Sequence, residues 1–398
     1  MQDWKTLFAS RARRMTASEI RELLKLLDQP DMISFAGGIP DAGLFPAEAF
    51  ETAYRELFAN GQHLSALQYS VSEGYMPLRS WIVRHMGSLG VPCNEDNILI
   101  TSGAQQALDY LGKLFITAGD RAIVGWPTYL GALQAFNAYE PAYEQLDLAG
   151  ATEHAAPAKF IYTTADFANP SGQTLTLAER NALLDQAEAR GMAVIEDAPY
   201  QALRYEGEAL PSLLALDVAR CGGIENARTI FCGSFSKTLS PGLRLGWICA
   251  PTPVIQQLVL TKQAADLNSA TINQMVMTTV AERCFDAHVD MIRKVYKERR
   301  DAMLQALDRY MPAGVTWNRP EGGMFLWLEL PSGADAGELL QSAIQSAKVA
   351  YVPGHAFFAD GSGRNTLRLS FTACGPEKIE EGVRRLAKVF AKDFSLAA

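Results

Sequence analysis

Lys237 sits in the run Gly233-Ser234-Phe235-Ser236-Lys237-Thr238-Leu239-Ser240-Pro241-Gly242-Leu243-Arg244, one amine among hydroxyls and glycines with a guanidinium seven residues on. An amine that attacks an aldehyde must shed its proton and stand where little bulk surrounds it. Hydroxyls, backbone N–H groups and a guanidinium nearby can hold a phosphate carried by the same molecule. Lys237, Ser234, Ser236 and Arg244 supply that set, so the run reads as a seat for a phosphorylated aldehyde.

Other residues fit the same chemistry. Asp197 closes the apolar run Met192-Ala193-Val194-Ile195-Glu196-Asp197. A carboxylate there can keep a pyridine nitrogen protonated and make the ring an electron sink; a strand-end acid also serves as a plain turn cap. Tyr200 offers a phenol to a ring oxygen, or packs as a simple aromatic. Asn169-Pro170-Ser171-Gly172 is a turn signal by itself. Ser102-Gly103-Ala104-Gln105 lies where a strand gives way to an apolar helix, which leaves first-turn N–H groups open to a dianion. Tyr129, in Trp126-Pro127-Thr128-Tyr129, is either a ring-stacking aromatic or part of the core. Arg368 interrupts the alternating run Asn365-Thr366-Leu367-Arg368-Leu369-Ser370-Phe371. Alternation sets it on the face opposite Leu367 and Leu369, where burial would demand an anion. A surface ion pair is the ordinary alternative.

The elements that must position these residues alternate. Short apolar runs at 98–101, 121–124, 160–163, 193–196, 229–232 and 245–250 are separated by helical patterns. That is the signature of a mostly parallel α/β sheet, which gathers ligands at the carboxyl ends of its strands. After residue 285 the character changes to a charged helix over 289–310, a strand pair over 323–329 and 366–371, and a last helix over 376–390. The expected division is a large domain of 46–285 and a smaller α+β domain of 1–45 with 286–398. A helix is expected over 16–27.

Asn169, Asp197, Lys237 and Arg244 occur together in the order and spacing of one cofactor site. On these residues the chain resembles the class I/II aminotransferases of fold type I. It is similar in particular to the group of 2-aminoadipate aminotransferase and kynurenine aminotransferase II. Further shared stretches are Ser34-Phe35-Ala36-Gly37-Gly38-Ile39-Pro40, Leu67-Gln68-Tyr69-Ser70 and Pro320-Glu321-Gly322-Gly323-Met324-Phe325. The resemblance implies pyridoxal phosphate as cofactor, on a mostly parallel seven-stranded sheet flanked by helices. It implies that Lys237 carries the cofactor, Asp197 faces its ring nitrogen, and Asn169 and Tyr200 meet its 3′ oxygen. Tyr129 would stack on the ring, and Ser102, Gly103, Ala104, Gln105, Ser234, Ser236 and Arg244 would hold the phosphate. Arg368 and Asn169 would take a substrate carboxylate, with Gly38 against the substrate and Arg21 as a candidate for a distal carboxylate. Tyr69 would cross to the partner's phosphate in a homodimer. The implied activity is ping-pong transamination between an L-amino acid and a 2-oxo acid, with glutamate and 2-oxoglutarate as one pair. The other amino acid would be 2-aminoadipate, leucine-like or aromatic. A β-lyase or decarboxylase on the same cofactor is the alternative. Segment 146–159 is shorter than in that group, and 162–168 departs from its approach to the Asn-Pro turn.

Composition agrees with a soluble enzyme: a net charge of −8 argues against a nucleic-acid partner. The regulators that carry this fold behind a winged helix would need more than the residues that precede Gly37. No apolar run suits a signal peptide or a membrane span. Cys93, Cys221, Cys232, Cys249, Cys284 and Cys374 are scattered, without CxxC or histidine pairing. They read as reduced buried thiols of a cytoplasmic protein and as no metal site.

Overall fold

A computed structural model describes residues 3–15, 31–148 and 157–397. The expected helix over 16–27, with Arg21, lies outside the described residues, as does part of the shortened segment 146–159.

Seven strands form the main sheet: β1 (Ile98–Thr101), β2 (Arg121–Val124), β3 (Ala142–Gln145), β4 (Ala158–Thr163), β5 (Ala193–Asp197), β6 (Thr229–Ser234) and β7 (Gly246–Cys249). Their order is β1-β7-β6-β5-β4-β2-β3. Only β7 runs antiparallel to its neighbours. All residues of β1, β6 and β7 are buried, as expected when helices cover both faces of a sheet. That is why these strands read as short apolar runs. The edge strand β3 was not apparent in the sequence. Its residues Ala-Tyr-Glu-Gln are half-buried or exposed, so it carries no apolar run to betray it.

Four helices matter for the site: α1 (Ala104–Phe115), α2 (Thr252–Gln263), α3 (Thr271–Tyr310) and α4 (Pro376–Ala397). The charged helix expected over 289–310 is the second half of α3, which runs 40 residues. Its first half is apolar and its second charged, so composition changes midway while the helix does not. No Gly or Pro interrupts 271–310, and Pro312 follows its end, so nothing breaks it earlier. Phe285 and Val289 pack into the cluster around Trp81 and Trp247. Ile292, Tyr296 and Met303 pack into the cluster around Phe325 and Leu369. One rod thus joins two hydrophobic cores.

The second core backs a four-stranded antiparallel sheet: β8 (Thr316–Trp317), β9 (Phe325–Glu329), β10 (Val352–Pro353) and β11 (Thr366–Ser370), in the order β10-β11-β9-β8. Leu367 and Leu369 of β11 enter that core, while Arg368 pairs across to Trp327 on β9. The cysteines differ from expectation in part: all are free thiols, but only Cys232 and Cys249 are buried and the other four are half-buried.

Candidate active site

Sheet topology brings the chemistry to one edge. The turn 102–105 leaves β1, Tyr129 follows β2, Asn169 follows β4, Asp197 ends β5, and Lys237 lies just past the end of β6. Gly246, at the start of the antiparallel β7, pairs with both Thr101 and Ser234. Arg244 therefore enters the sheet at the edge where the other strands leave it.

The last two residues of β5 are both buried acids, and their surroundings differ. Glu196 accepts from the N–H groups of Leu213 and Leu214, at 2.9 Å each. Burial raises its pKa to about 7, and both of its oxygens are used by the helix N-terminus they cap. Asp197 points to the opposite face. Its Oδ2 accepts from the Tyr162 hydroxyl at 2.8 Å, and its buried Oδ1 has no partner. Burial pushes its pKa up to about 6, against the hydrogen bond from Tyr162 and the charge of Lys237. A buried carboxylate oxygen without a donor is costly, and it fits a cationic N–H brought by a ligand. Tyr162 was not singled out in the sequence as its partner. A phenol in a central strand looks like core, and only the cross-strand neighbourhood of β4 and β5 reveals the pairing.

Lys237 is half-buried, and its Nζ donates to the carbonyl of Gly38 at 2.8 Å. Burial, then the charges of Arg368 and Arg244, lower its pKa to about 8. A neutral, nucleophilic amine is therefore accessible near neutral pH. Ser234 accepts from the N–H of Ser236 at 3.1 Å, which shapes the turn before the lysine.

Arg368 is 2% exposed. Nη1 donates to Asn169 Oδ1 at 2.7 Å and Nη2 to the Ala36 carbonyl at 2.6 Å, while Nε has no partner. Phe325 and Phe357 lie 4.3 and 5.1 Å from the guanidinium carbon. Burial lowers its pKa to about 10, so it stays charged at neutral pH. None of these partners carries a negative charge. A buried cation so placed favours an incoming carboxylate strongly. The surface ion pair open at the sequence level is thereby ruled out. Asn169 is shared: its Nδ2 faces the Tyr200 hydroxyl at 3.4 Å, and burial raises the Tyr200 pKa so that the phenol stays protonated. Gly38 closes this end. A Cβ there would stand 2.9 Å from Phe325 and 3.9 Å from the Arg368 guanidinium, so a side chain would crowd whatever Arg368 holds.

The other end is more open. Gly103 has φ +84°, and a Cβ on it would meet Arg244 Nη2 at 2.6 Å. The positive φ favours glycine, and any side chain here would push the flexible end of Arg244 aside. The first N–H groups of α1 have no acceptor within the helix. Arg244, itself at φ +53°, is exposed, and its Nη1 donates to the Pro241 carbonyl at 3.2 Å. The Gln105 side chain turns away and donates to the Gly131 carbonyl at 2.6 Å, so only its backbone is available to a phosphate. Tyr129 is half-buried beside Gly131. Tyr69 is 79% exposed, on a stretch with exposed Leu64, Leu67 and Val71.

The loop that carries Asn169 is anchored by charges that the sequence did not reveal. Asp166 accepts from Arg180 at 2.9 Å and from Arg204 at 3.3 Å, and Arg204 also reaches Glu321 at 2.6 Å. These residues are far apart in the chain and meet only in the fold.

Residues 30–386 match the family described as aminotransferase class I and II. This chain belongs to that family. An aromatic-amino-acid aminotransferase of Thermococcus litoralis is 41% identical, over 98% of this chain and 95% of that protein. A 2-aminoadipate transaminase of Thermus thermophilus is 43% identical, over 97% of this chain and 96% of the relative. The α-aminoadipate aminotransferase LysN of Thermus thermophilus, solved with N-(5′-phosphopyridoxyl)-L-leucine, superposes with a TM-score of 0.90 at 39% identity, covering 99% of this aminotransferase and all (100%) of LysN. The fold is that of the fold type I aminotransferases, and the cofactor of the family is pyridoxal phosphate. The residues present fit it: a depressed lysine, a buried acid with a vacant oxygen, and a glycine cradle beside an arginine.

Proposed function

We propose that this aminotransferase moves the amino group of an L-amino acid to a 2-oxo acid in two half-reactions at one site. Pyridoxal phosphate, when bound, supplies an aldehyde for Lys237 and a ring that accepts electrons from the substrate α-carbon. Asp197, through its unpartnered Oδ1, would keep the ring nitrogen protonated. Asn169 and Tyr200 would serve the ring's 3′ oxygen, Tyr129 would pack against the ring, and Ser102–Gln105, Ser234, Ser236 and Arg244 would hold the phosphate. Arg368 and Asn169 orient the substrate carboxylate, and Gly38 leaves room for it. Lys237 Nζ would act as the base that takes the proton from the substrate α-carbon and as the acid that gives it back. The observation that carries this reading is the buried Arg368 guanidinium, held by uncharged partners with Nε left over.

The proposed donors are 2-aminoadipate, glutamate, leucine-like and aromatic amino acids, with glutamate and 2-oxoglutarate as the common pair. The names of the relatives and the leucine adduct in LysN support that range. The working unit is a homodimer in which Tyr69 reaches the partner's phosphate; its exposure among other exposed apolar side chains supports this. The test is spectroscopic. Donors from this panel are added singly to cofactor-loaded protein, and the visible band should bleach, then return on addition of 2-oxoglutarate. A band untouched by every donor would overturn the reading.

A further inference from the structure

Beneath the turn 102–105 lies a polar network that the chemistry above does not use. The Lys262 side chain, in the last turn of α2, is fully buried. Its Nζ donates to both oxygens of Asp266 at 2.9 and 3.0 Å, to Gln106 Oε1 at 3.1 Å and to Ser269 Oγ at 3.1 Å. Its N–H groups are thus all committed, so it cannot reach a ligand, and with Asp266 it adds no net charge. Asp266 also accepts from Gln106 Nε2 at 2.7 Å and from the Tyr110 hydroxyl at 3.2 Å. From behind, Gln274 Nε2 donates to the Ser269 carbonyl at 2.8 Å and fixes the cluster to α3.

The network reaches the site at one residue. The Ser102 N–H donates to Gln106 Oε1 at 2.8 Å, and the Ser102 hydroxyl lies 3.1 Å from Ser269 Oγ and 3.3 Å from Asp266 Oδ2. Gly103, next in the chain, holds the positive φ that brings the turn against Arg244. The N–H and hydroxyl of Ser102 are therefore set by a network built on a charge-neutral pair, with Lys262 buried and Asp266 reaching the surface. Polar networks of this kind fix the geometry of the groups that do the binding.

We propose that Lys262 and Asp266 are positioning residues for the phosphate cradle, acting through Gln106 and Ser269 on Ser102. The proposal rests on the reading that this turn receives the cofactor phosphate. It separates two quantities that a general loss of packing would move together. Pyridoxal and pyridoxal phosphate share the aldehyde and ring and differ only in the phosphate, so the ratio of their dissociation constants reports the cradle alone.

The experiment titrates apoprotein with each compound and follows the absorbance of the lysine-bound aldehyde. Lys262→Met and Asp266→Asn each leave a charge or polar group unpaired. The double variant Lys262→Met, Asp266→Leu removes both charges and keeps the interior folded. Ser269→Ala is a milder cut in the same network. The preference for pyridoxal phosphate over pyridoxal should fall about tenfold in the double variant and less in Ser269→Ala, with pyridoxal binding unchanged. An unchanged preference would overturn the proposal, whether or not the melting temperature falls. An equal loss of both compounds would do the same and assign the pair a structural role only. If wild-type protein itself showed no preference, the assignment of the turn to phosphate would fail instead.

Discussion

Arg368 and Arg244, proposed for one site, live in opposite surroundings. Arg368 is enclosed by Phe325 and Phe357, with both Nη groups already bonded and Nε vacant. Arg244 stands exposed on a left-handed turn against a glycine. The first is a finished socket inside one chain, where the low dielectric makes an anion valuable. The second faces outward, where solvent screens it. On the proposed reading, the contrast sets an enclosed carboxylate socket at one end of the site against an open phosphate cradle at the other, which Tyr69 of a second copy would close.

The amine between the two ends gives the largest expected effect. Lys237→Ala should leave both ends able to bind and reduce turnover by about 10⁴-fold, measured as single-turnover oxo-acid formation; near-normal turnover would break the scheme. Arg368→Gln should lower kcat/KM for amino donors by about 10²- to 10³-fold, the scale of losing a buried charge contact. Cofactor affinity should hardly change. Arg244→Gln should do the reverse: cofactor affinity falls by about tenfold or more and becomes less sensitive to salt, while the KM of the loaded enzyme holds. If both arginine variants changed the same constant, the two ends would not be separable. Tyr69→Phe should cost a few-fold in cofactor affinity, about the worth of one hydrogen bond, and should be rescued in mixed dimers that carry one intact partner.

The smallest effect sharpens the comparison by pH. Lys237 is neutral above about 8, so about a tenth of it is neutral at pH 7. Capture of an aldehyde by apoprotein should therefore rise with pH and level off above 8. The two guanidiniums depress this pKa, Arg368 more than Arg244. Stopped-flow profiles should move to higher pH in both variants, and further in Arg368→Gln. A profile that moves to lower pH, or not at all, would contradict the assigned electrostatics.

Much of this was legible in the sequence, for physical reasons. Buried parallel strands declare themselves as apolar runs, and Lys237, Asp197 and Asn169 follow strand ends, where α/β sheets place ligands. Gly103 holds a positive φ, and Gly38 stands where a side chain would collide with Phe325. What the sequence hid was long-range or at an edge. Strand β3 has no apolar run, α3 changes composition without ending, and Tyr162 earns its role only from the strand beside it. The anchors Arg180 and Arg204 on Asp166 lie 14 and 38 positions away. Lys262, at helical spacing from Asp266, looks like half of any surface i,i+4 pair until its own burial is known.

One contact described above gives the resting protein a lock of its own. The Lys237 ammonium donates to the Gly38 carbonyl, so the segment proposed to line the substrate end is tethered by the amine proposed to react. Anything that takes up this nitrogen releases that tether at Gly38, while Arg368 on the Ala36 carbonyl, Thr372 on the Ile39 carbonyl and Tyr296 on the Asp41 N–H keep the flanks in place. Hydrogen exchange of the amides around Gly38 would thus register whether the lysine is engaged, without any turnover at all.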